Sequence, residues 1–241
     1  YFSQNNEDIE VIRKMVPKRL LVGYEGNGVH LLKIDQYPRL SEKEKKDLKK
    51  SLSIQEKSFI FLMGARFENV KNHQMLINAL TLCKENDTFK VLLAGDGPLL
   101  EHFKNQVEKL ELQSKVCFLG YRNDILNLMQ ISDAVLLTSK KEGIPRILME
   151  AMAMSLPVLA TNVLGTREVV VHGETGELVE LDDYQALAYK MQKWSMPEYQ
   201  ETLSLYKKNA RKRIEDHFTE TIVAERIHRF YQELIQRKLY V

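Results

Sequence analysis

Two stretches of the chain place charged residues beside glycines in a way that suits a ligand bearing both negative charge and hydroxyl groups. In Gly64-Ala65-Arg66-Phe67-Glu68-Asn69-Val70-Lys71-Asn72, a glycine and two cations stand between an apolar run and a segment of helical periodicity. Amides at a helix start carry partial positive charge, and an arginine fork with a lysine point charge can hold a diphosphate. Arg66 and Lys71 are therefore candidate phosphate ligands; taken alone, two solvated surface cations are the simpler account of them. In Glu142-Gly143-Ile144-Pro145-Arg146-Ile147-Leu148-Met149-Glu150, two carboxylates bracket a predicted helix start. Pro145 suits a first helical turn, which leaves Glu142 in the preceding loop and puts Glu150 about one turn inside, so that both face one cleft. Carboxylates accept the hydroxyl hydrogen bonds that a sugar ring and a ribose offer, and exposed Gly143 and Ile144 amides can meet a phosphate. On this stretch alone, a solvated loop glutamate and a surface helix glutamate explain the pair equally well.

A third segment, Gly95-Asp96-Gly97-Pro98, offers a tight turn with a proline suited to open a helix. The third glycine of a dinucleotide fingerprint would fall at Leu100, so a nicotinamide or flavin site is not supported. The elements that must position these loops follow from periodicity. Apolar runs at Phe59 to Met63, Lys90 to Ala94, Val116 to Leu119, Ala134 to Thr138, Pro157 to Thr161 and Glu177 to Val179 read as strands. Segments around 72–86, 98–112, 123–130, 146–154, 166–172 and 183–194 carry apolar residues at three- and four-residue spacing and read as helices. Six such units predict an α/β fold with a doubly wound, parallel, six-stranded Rossmann-like sheet, whose ligands bind beyond the carboxyl ends of the strands. Upstream, Ser41 and Glu44 form a capping box for a charged helix running to about Ser51. Downstream, two helices are predicted over 198–217 and 220–236, the second with Val223, Ile227, Phe230, Tyr231 and Leu234 on one stripe.

Composition narrows the function classes. Lys plus Arg number 35 against 33 Asp plus Glu, a formal net charge of +2 that gives no global field for nucleic acid. Cys83 and Cys117 lie far apart without C-x-x-C spacing, and the six histidines fall at no metal-ligand spacing, so neither a disulfide framework nor a structural metal is expected. No apolar run approaches the roughly 18 residues of a membrane span and no signal-peptide pattern opens the chain, which predicts a soluble, cytoplasmic protein. Asn86-Asp87-Thr88 matches a glycosylation sequon, which matters only in a secreted protein. The cluster Lys207, Lys208, Arg211, Lys212 and Arg213 is either a solvated helix face or a patch for peripheral contact with the inner membrane surface.

The order of these motifs carries a resemblance. G-x-R-x-x-x-x-K-N, A-G-D-G-P, F-L-G-Y-R-x-D-I, S-x-x-x-E-G-I-P-R-x-L-x-E-A-M-A, P-V-x-A-T and G-T-R-E-V-V, over about residues 58 to 180, resemble the donor domain of retaining, GT-B-fold glycosyltransferases of family four. Tyr1 to Ile34 resembles the crossover from that family's acceptor domain, with Ser3 to Asp8 ahead of Gly26-Asn27-Gly28-Val29 and His30 where an Asp is usual. The resemblance implies three parts: residues 1–35 as a remnant of the N-terminal domain and linker, 36–217 as the nucleotide-sugar donor domain, and 218–241 as a helix returning towards the N-terminal domain. It also implies that most of an acceptor domain precedes the start of this chain.

By the same resemblance, Arg66 and Lys71 would bind the donor diphosphate and stabilise the charge that develops on it. Glu142, with the Gly143 and Ile144 amides, would hold the transferred sugar and a phosphate as a ligand and not as an acid or base, so Arg66, Lys71 and Glu142 are the expected catalytic residues. Gly64, Gly95, Gly97, Tyr121, Arg122, Gly143, Ile144, Pro145, Glu150, Gly165 and Thr166 are the expected donor-binding positions. Glu150 would hold ribose, Tyr121 and Arg122 would edge the base pocket through backbone groups, and Gly165 and Thr166 would open a helix near the phosphates. No cofactor or metal is implied; the substrate is a UDP- or GDP-linked sugar and the acceptor a glycan or lipid-linked sugar, in cell-surface polysaccharide or glycoconjugate biosynthesis. The resemblance thus implies a retaining hexosyltransferase, with a nucleotide-sugar epimerase of the same fold or a non-catalytic nucleotide-sugar-binding module as alternatives. The chain by itself is expected to bind donor and to transfer poorly.

Overall fold

The computed structural model describes residues 2–3, 6–17 and 20–239; Gln4 and Asn5 of the Ser3–Asp8 motif lie outside the described residues. Six parallel strands form the central sheet: β3 (Phe59–Gly64), β4 (Phe89–Ala94), β5 (Val116–Gly120), β6 (Ala134–Leu137), β7 (Val158–Thr161) and β8 (Gly176–Val179), in the spatial order β5-β4-β3-β6-β7-β8. Five of these strands are largely buried, as expected for strands covered on both faces, while the edge strand β5 buries only Val116 fully. Each predicted run is a strand, displaced by at most one residue at either end.

The chain builds outward from β3 to β5, returns to lay β6 on the other side of β3, and builds outward again to β8. Right-handed crossovers then put α4 (His73–Thr81) and α5 (Leu100–Lys109) on one face, and α7 (Arg146–Ala153) and α8 (Leu164–Val169) on the other. After β8, α9 (Tyr184–Trp194) packs beside α4 and buries Trp194 against Phe61 of β3, with ring centroids 6.4 Å apart. α6 (Ile125–Gln130) lies against β3, at the reversal of strand order. The two chain directions part between β3 and β6, so their carboxyl ends open a crevice there.

Differences from expectation have local causes. The helix predicted over 72–86 ends at Thr81 and continues as turns, with the Cys83 amide bonded to the Leu80 carbonyl. Pro145 caps α7 from outside, with ψ at 110°, and does not occupy its first turn. The helix placed at 166–172 starts two residues earlier and stops at Val169, because Val170 is extended. α3 (Glu42–Ser51) carries the predicted capping box: the Glu44 amide donates to Ser41 Oγ at 3.3 Å and the Ser41 amide to Glu44 Oε2 at 2.8 Å.

At the start, β1 (Phe2–Ser3) pairs in parallel with β2 (Gly23–Tyr24), α1 (Asn6–Met15) connects them, and α2 (Leu31–Asp35) follows. His30 caps α2 by accepting the Lys33 amide at Nδ1, 3.1 Å, which is the capping work an aspartate would do. α10 (Gln200–His217) packs on α7, and α11 (Glu220–Leu239) runs from it back along the N-terminal segment. Val29 exchanges backbone bonds with Phe218 and Glu220, at 2.9 and 3.1 Å, and the Arg226 guanidinium lies 5.1 Å over the Tyr24 ring.

The basic cluster of α10 is not a uniform exposed face. Arg211 forks onto both Asp35 oxygens, at 2.7 and 3.0 Å, and also meets Glu215 and the Ala153 carbonyl. Arg213 turns inward to the Glu168 and Val169 carbonyls, and Lys212 sits 3.7 Å from Asp216. These guanidinium groups therefore join α10 to its neighbours and are not a free membrane patch.

Candidate functional site

The loops after β3, β4 and β5 lock together by backbone contact. The Ala65 amide donates to the Ala94 carbonyl at 3.0 Å, Phe67 to Asp96 at 2.9 Å, and Gly95 to Gly120 at 2.7 Å. Gly95 has to be glycine, because a Cβ there would overlap the Ala65 carbonyl. Between these loops and α7 opens a cavity of about 650 Å3. Gly64, Arg66, Gly95, Gly97, Tyr121 and Arg122 all line it, six of the predicted site residues from three different loops. Ile125 and Ile147 supply apolar wall, and Pro98 and Asp96 complete the side formed by the β4 loop.

The charged groups around the cavity differ in how they are held. Arg66 is largely exposed and sits 3.1 Å from Glu68. Arg122 forks onto Asp124, at 2.7 and 2.6 Å, so its guanidinium is taken, which leaves its backbone groups for a ligand. That ion pair holds the Asp124 carboxyl below its ordinary value. Tyr121 stands at the rim with 78% of its surface exposed.

Lys71 and Glu142, distant in sequence, meet as an ion pair at 2.7 Å. The meeting follows from topology, since Lys71 follows β3, Glu142 follows β6, and these strands are neighbours. Their side chains are 25% and 10% exposed, so solvent screens the pair only in part. Ser139 Oγ donates to the same carboxylate oxygen at 2.5 Å. Ser139 and Thr138 belong to a loop that the motif contains, and a hydroxyl there carries no sequence signal of a site role.

The remaining predicted positions fall in two groups. Gly143 is exposed, whereas Ile144 is only 5% exposed and Pro145 is buried. The Ile144 carbonyl accepts from Asn27 Nδ2 at 3.3 Å, which seats the Gly26-Asn27-Gly28 segment on this loop. Glu150 lies on α7 one turn after Ile147, and one of its oxygens accepts from Arg146 Nε at 2.8 Å, a partner that i, i+4 spacing allows. Gly165 presses its backbone on Gly143, where a Cβ would overlap the carbonyl. Thr166 lies in the first turn of α8, fully buried, its hydroxyl bonded to the Val163 amide and carbonyl at 3.1 and 2.8 Å. Gly165 and Thr166 thus shape the floor under the Glu142 loop, and the Thr166 hydroxyl is used within the protein. Among the described residues no group of three or more His, Cys, Asp or Glu side chains could hold a metal ion, and no helix is long and apolar enough to cross a membrane.

A six-stranded parallel Rossmann-like sheet with this strand order, a cavity at its switch point and trailing C-terminal helices is the C-terminal domain of a GT-B fold. The chain belongs to the glycosyl transferases group 1 family, which it matches over residues 44–213. It is 36% identical over 141 residues to the N-acetyl-alpha-D-glucosaminyl L-malate synthase of Bacillus anthracis, covering 58% of this chain and 37% of that protein. It is 28% identical over 239 residues to the UDP-Gal:alpha-D-GlcNAc-diphosphoundecaprenol alpha-1,3-galactosyltransferase of Escherichia coli, covering 97% of this chain and 60% of that one. The fold superposes on Anabaena Alr3699/HepE in complex with UDP-glucose with a TM-score of 0.83 at 23% identity, over 96% of this chain and 63% of that chain. It matches the C-terminal domain of the group 1 protein LpcC of Francisella tularensis with a TM-score of 0.67 at 22% identity, over 80% of this chain and all of that one. The chain thus spans 37% and 60% of the lengths of these two curated relatives.

Proposed function

We propose that this chain is the donor-binding part of a retaining hexosyltransferase that moves a sugar from a UDP- or GDP-linked donor to a glycan or lipid-linked acceptor in polysaccharide or glycoconjugate assembly. The observation that carries the reading is the charge arrangement at the switch point. Arg66 lines a cavity bounded by the β4 and β5 loops, while Lys71 and Glu142 meet after the two strands that flank the crevice. The cavity has the size and mixed lining of a nucleotide site.

In this reading the base enters beside Tyr121 and the backbone of Arg122, against the Gly95–Pro98 wall. Arg66 and Lys71 take the diphosphate, whose negative charge grows as the bond to the sugar breaks. Fixed cations aimed at that charge stabilise the transition state more than the ground state. Glu142 accepts hydroxyl hydrogen bonds from the transferred sugar, with the Gly143 amide on its phosphate side, and Glu150 accepts from the ribose. Attack on the same face as the departing phosphate needs no protein nucleophile. The work takes place in the cytoplasm, at the membrane face where a lipid-linked acceptor presents its sugar.

Two of the proteins similar to this chain support the donor class: the Escherichia coli relative is described by its UDP-Gal donor, and the Anabaena protein was crystallised with UDP-glucose. Calorimetry of the chain against uridine and guanosine diphosphate sugars tests the donor, and labelled-sugar transfer by the full-length protein tests the reaction. Saturable binding of one nucleotide series together with transfer to an acceptor is expected. Epimerisation of the donor without acceptor, or binding without turnover by the full-length protein, would overturn the assignment.

A further inference from the structure

Three successive residues after β6 hydrogen-bond to the charged pair or to the turn that carries Lys71. Thr138 Oγ1 lies 3.0 Å from the Lys71 carbonyl and 3.1 Å from the Asn72 carbonyl. Ser139 Oγ donates to Glu142 Oε1, and the Lys140 amide donates to the Val70 carbonyl at 2.8 Å. Thr138 and Ser139 are 1% and 0% exposed, and the Ser139 carbonyl is itself fixed by Thr161 Oγ1 at 2.5 Å. From the other side Asn72, in the left-handed region with φ at 51°, is held by Asp182 Oδ1 at 2.9 Å.

This clamp matters because a lysine ammonium rides on a flexible four-carbon stem, so its position depends on where its backbone is anchored. The Lys71 carbonyl is anchored from the facing strand by Thr138, and its amide within its own turn by the Glu68 carbonyl at 3.0 Å. The glutamate is set differently: Lys71 and Ser139 both bond Oε1, and among the described residues Oε2 has no hydrogen-bond partner. One oxygen is therefore saturated by the protein while the other is left as an acceptor.

We propose that Thr138 and Ser139 are the positioning residues of this site: Thr138 sets the Lys71 ammonium for the diphosphate, and Ser139 orients Glu142 so that Oε2 alone faces the sugar. The division of labour rests on the donor reading above, and it predicts that the two hydroxyls have separable effects. In titration calorimetry with UDP and UDP-glucose as probes, Ser139→Ala raises the Kd of UDP-glucose about tenfold and that of UDP less than twofold, the loss of roughly one hydrogen bond to a charged group. Thr138→Val raises both about tenfold, and Thr138→Ser, which keeps the hydroxyl, restores both. Crystal structures of the ligand-free variants give a readout independent of any nucleotide. Thr138→Val separates Lys71 Nζ from Glu142 and Thr138→Ser does not, while Ser139→Ala rotates the Glu142 carboxylate. Equal losses for the two probes in Ser139→Ala, a Thr138→Val that Thr138→Ser does not rescue, or an unchanged Lys71–Glu142 pair in Thr138→Val would overturn the proposal. A wild-type chain that binds neither probe removes the uridine form of the donor reading instead, and the ligand-free structures then decide the positioning roles by themselves.

Discussion

Replacing Lys71 by Met separates a ligand cation from a structural one. Methionine keeps the length and apolar stem of lysine and deletes only the ammonium. In the free protein that ammonium is 2.7 Å from Glu142, in a setting where its side chain is 25% exposed and its partner 10%. A charge-assisted hydrogen bond contributes about 1.5–3 kcal/mol, and the limited solvent access here places Lys71 in the upper half of that range. A loss of about 2–3 kcal/mol corresponds to roughly 30- to 160-fold in Kd. The variant also leaves Glu142 without its cation, a carboxylate beside incoming phosphates, which adds to the loss in the single variant. Lys71→Met/Glu142→Gln removes that added repulsion, so the double variant should bind UDP more tightly than Lys71→Met alone. Calorimetry with UDP and with uridine gives both numbers: UDP affinity falls by the stated factor and uridine affinity changes less than twofold. Arg66→Ala should cost less, about fivefold for UDP, because Arg66 is 71% exposed and solvent screens its charge. Equal losses for UDP and uridine, or a loss under threefold for UDP in Lys71→Met, would refute the phosphate role of this cation.

The other expectations concern folding and the shape of the site. His73, 1% exposed and stacked 4.2 Å from Phe67, has its pKa lowered to about 4 by burial and by Lys71, so the unfolded chain binds its proton first. Its stabilisation is therefore fully present above about pH 6.5 and is lost as pH falls towards 4, by up to about 3 kcal/mol; urea titrations of His73→Phe should show that part of the acid dependence removed. Glu177 is buried among Lys190, Tyr199 and Tyr206. Burial pushes its carboxyl up, but the bonds from Lys190 and Tyr199 outweigh this and hold it below the ordinary value. Glu177→Ala should cost about 3 kcal/mol and lower Tm by roughly 6–12 °C in calorimetric scans, without changing the ratio of UDP to uridine affinity. Gly165→Ala should abolish UDP-glucose binding through displacement of the Glu142 loop, measured as lost heat in titrations of a protein whose circular dichroism is retained.

How far the sequence speaks depends on whether the cause is local. Runs such as Phe59 to Met63 are buried on both faces and read as strands from their apolar, β-branched and aromatic residues, and six of them alternating with helical segments are enough to predict a doubly wound sheet, though not its strand order. The Ser41–Glu44 box was legible for the same reason, since donor and acceptor lie three residues apart. The Lys71–Glu142 pair could be suspected only as two separate motifs, because its geometry comes from β6 returning to the side of β3. The roles of Thr138 and Ser139 were hidden in the same way: a hydroxyl in a loop shows its partner only when the facing backbone is in place. Arg211 shows the reverse error. Within α10 it reads as one of five neighbouring cations, yet its partner is Asp35, at the other end of the chain. Two-residue strands such as β1 and β2 hold too few residues for any period to appear.

The central claim is that one pyrophosphate-bearing ligand gathers Arg66, Lys71, Glu142 and Glu150. A crystal structure of this chain with a bound nucleotide sugar, UDP-glucose first, tests it directly. Phosphate oxygens within roughly 3 Å of Lys71 Nζ and of the Arg66 guanidinium, with ribose hydroxyls on Glu150, are the predicted result. Density for the nucleotide with its phosphates turned away from both cations would contradict the account.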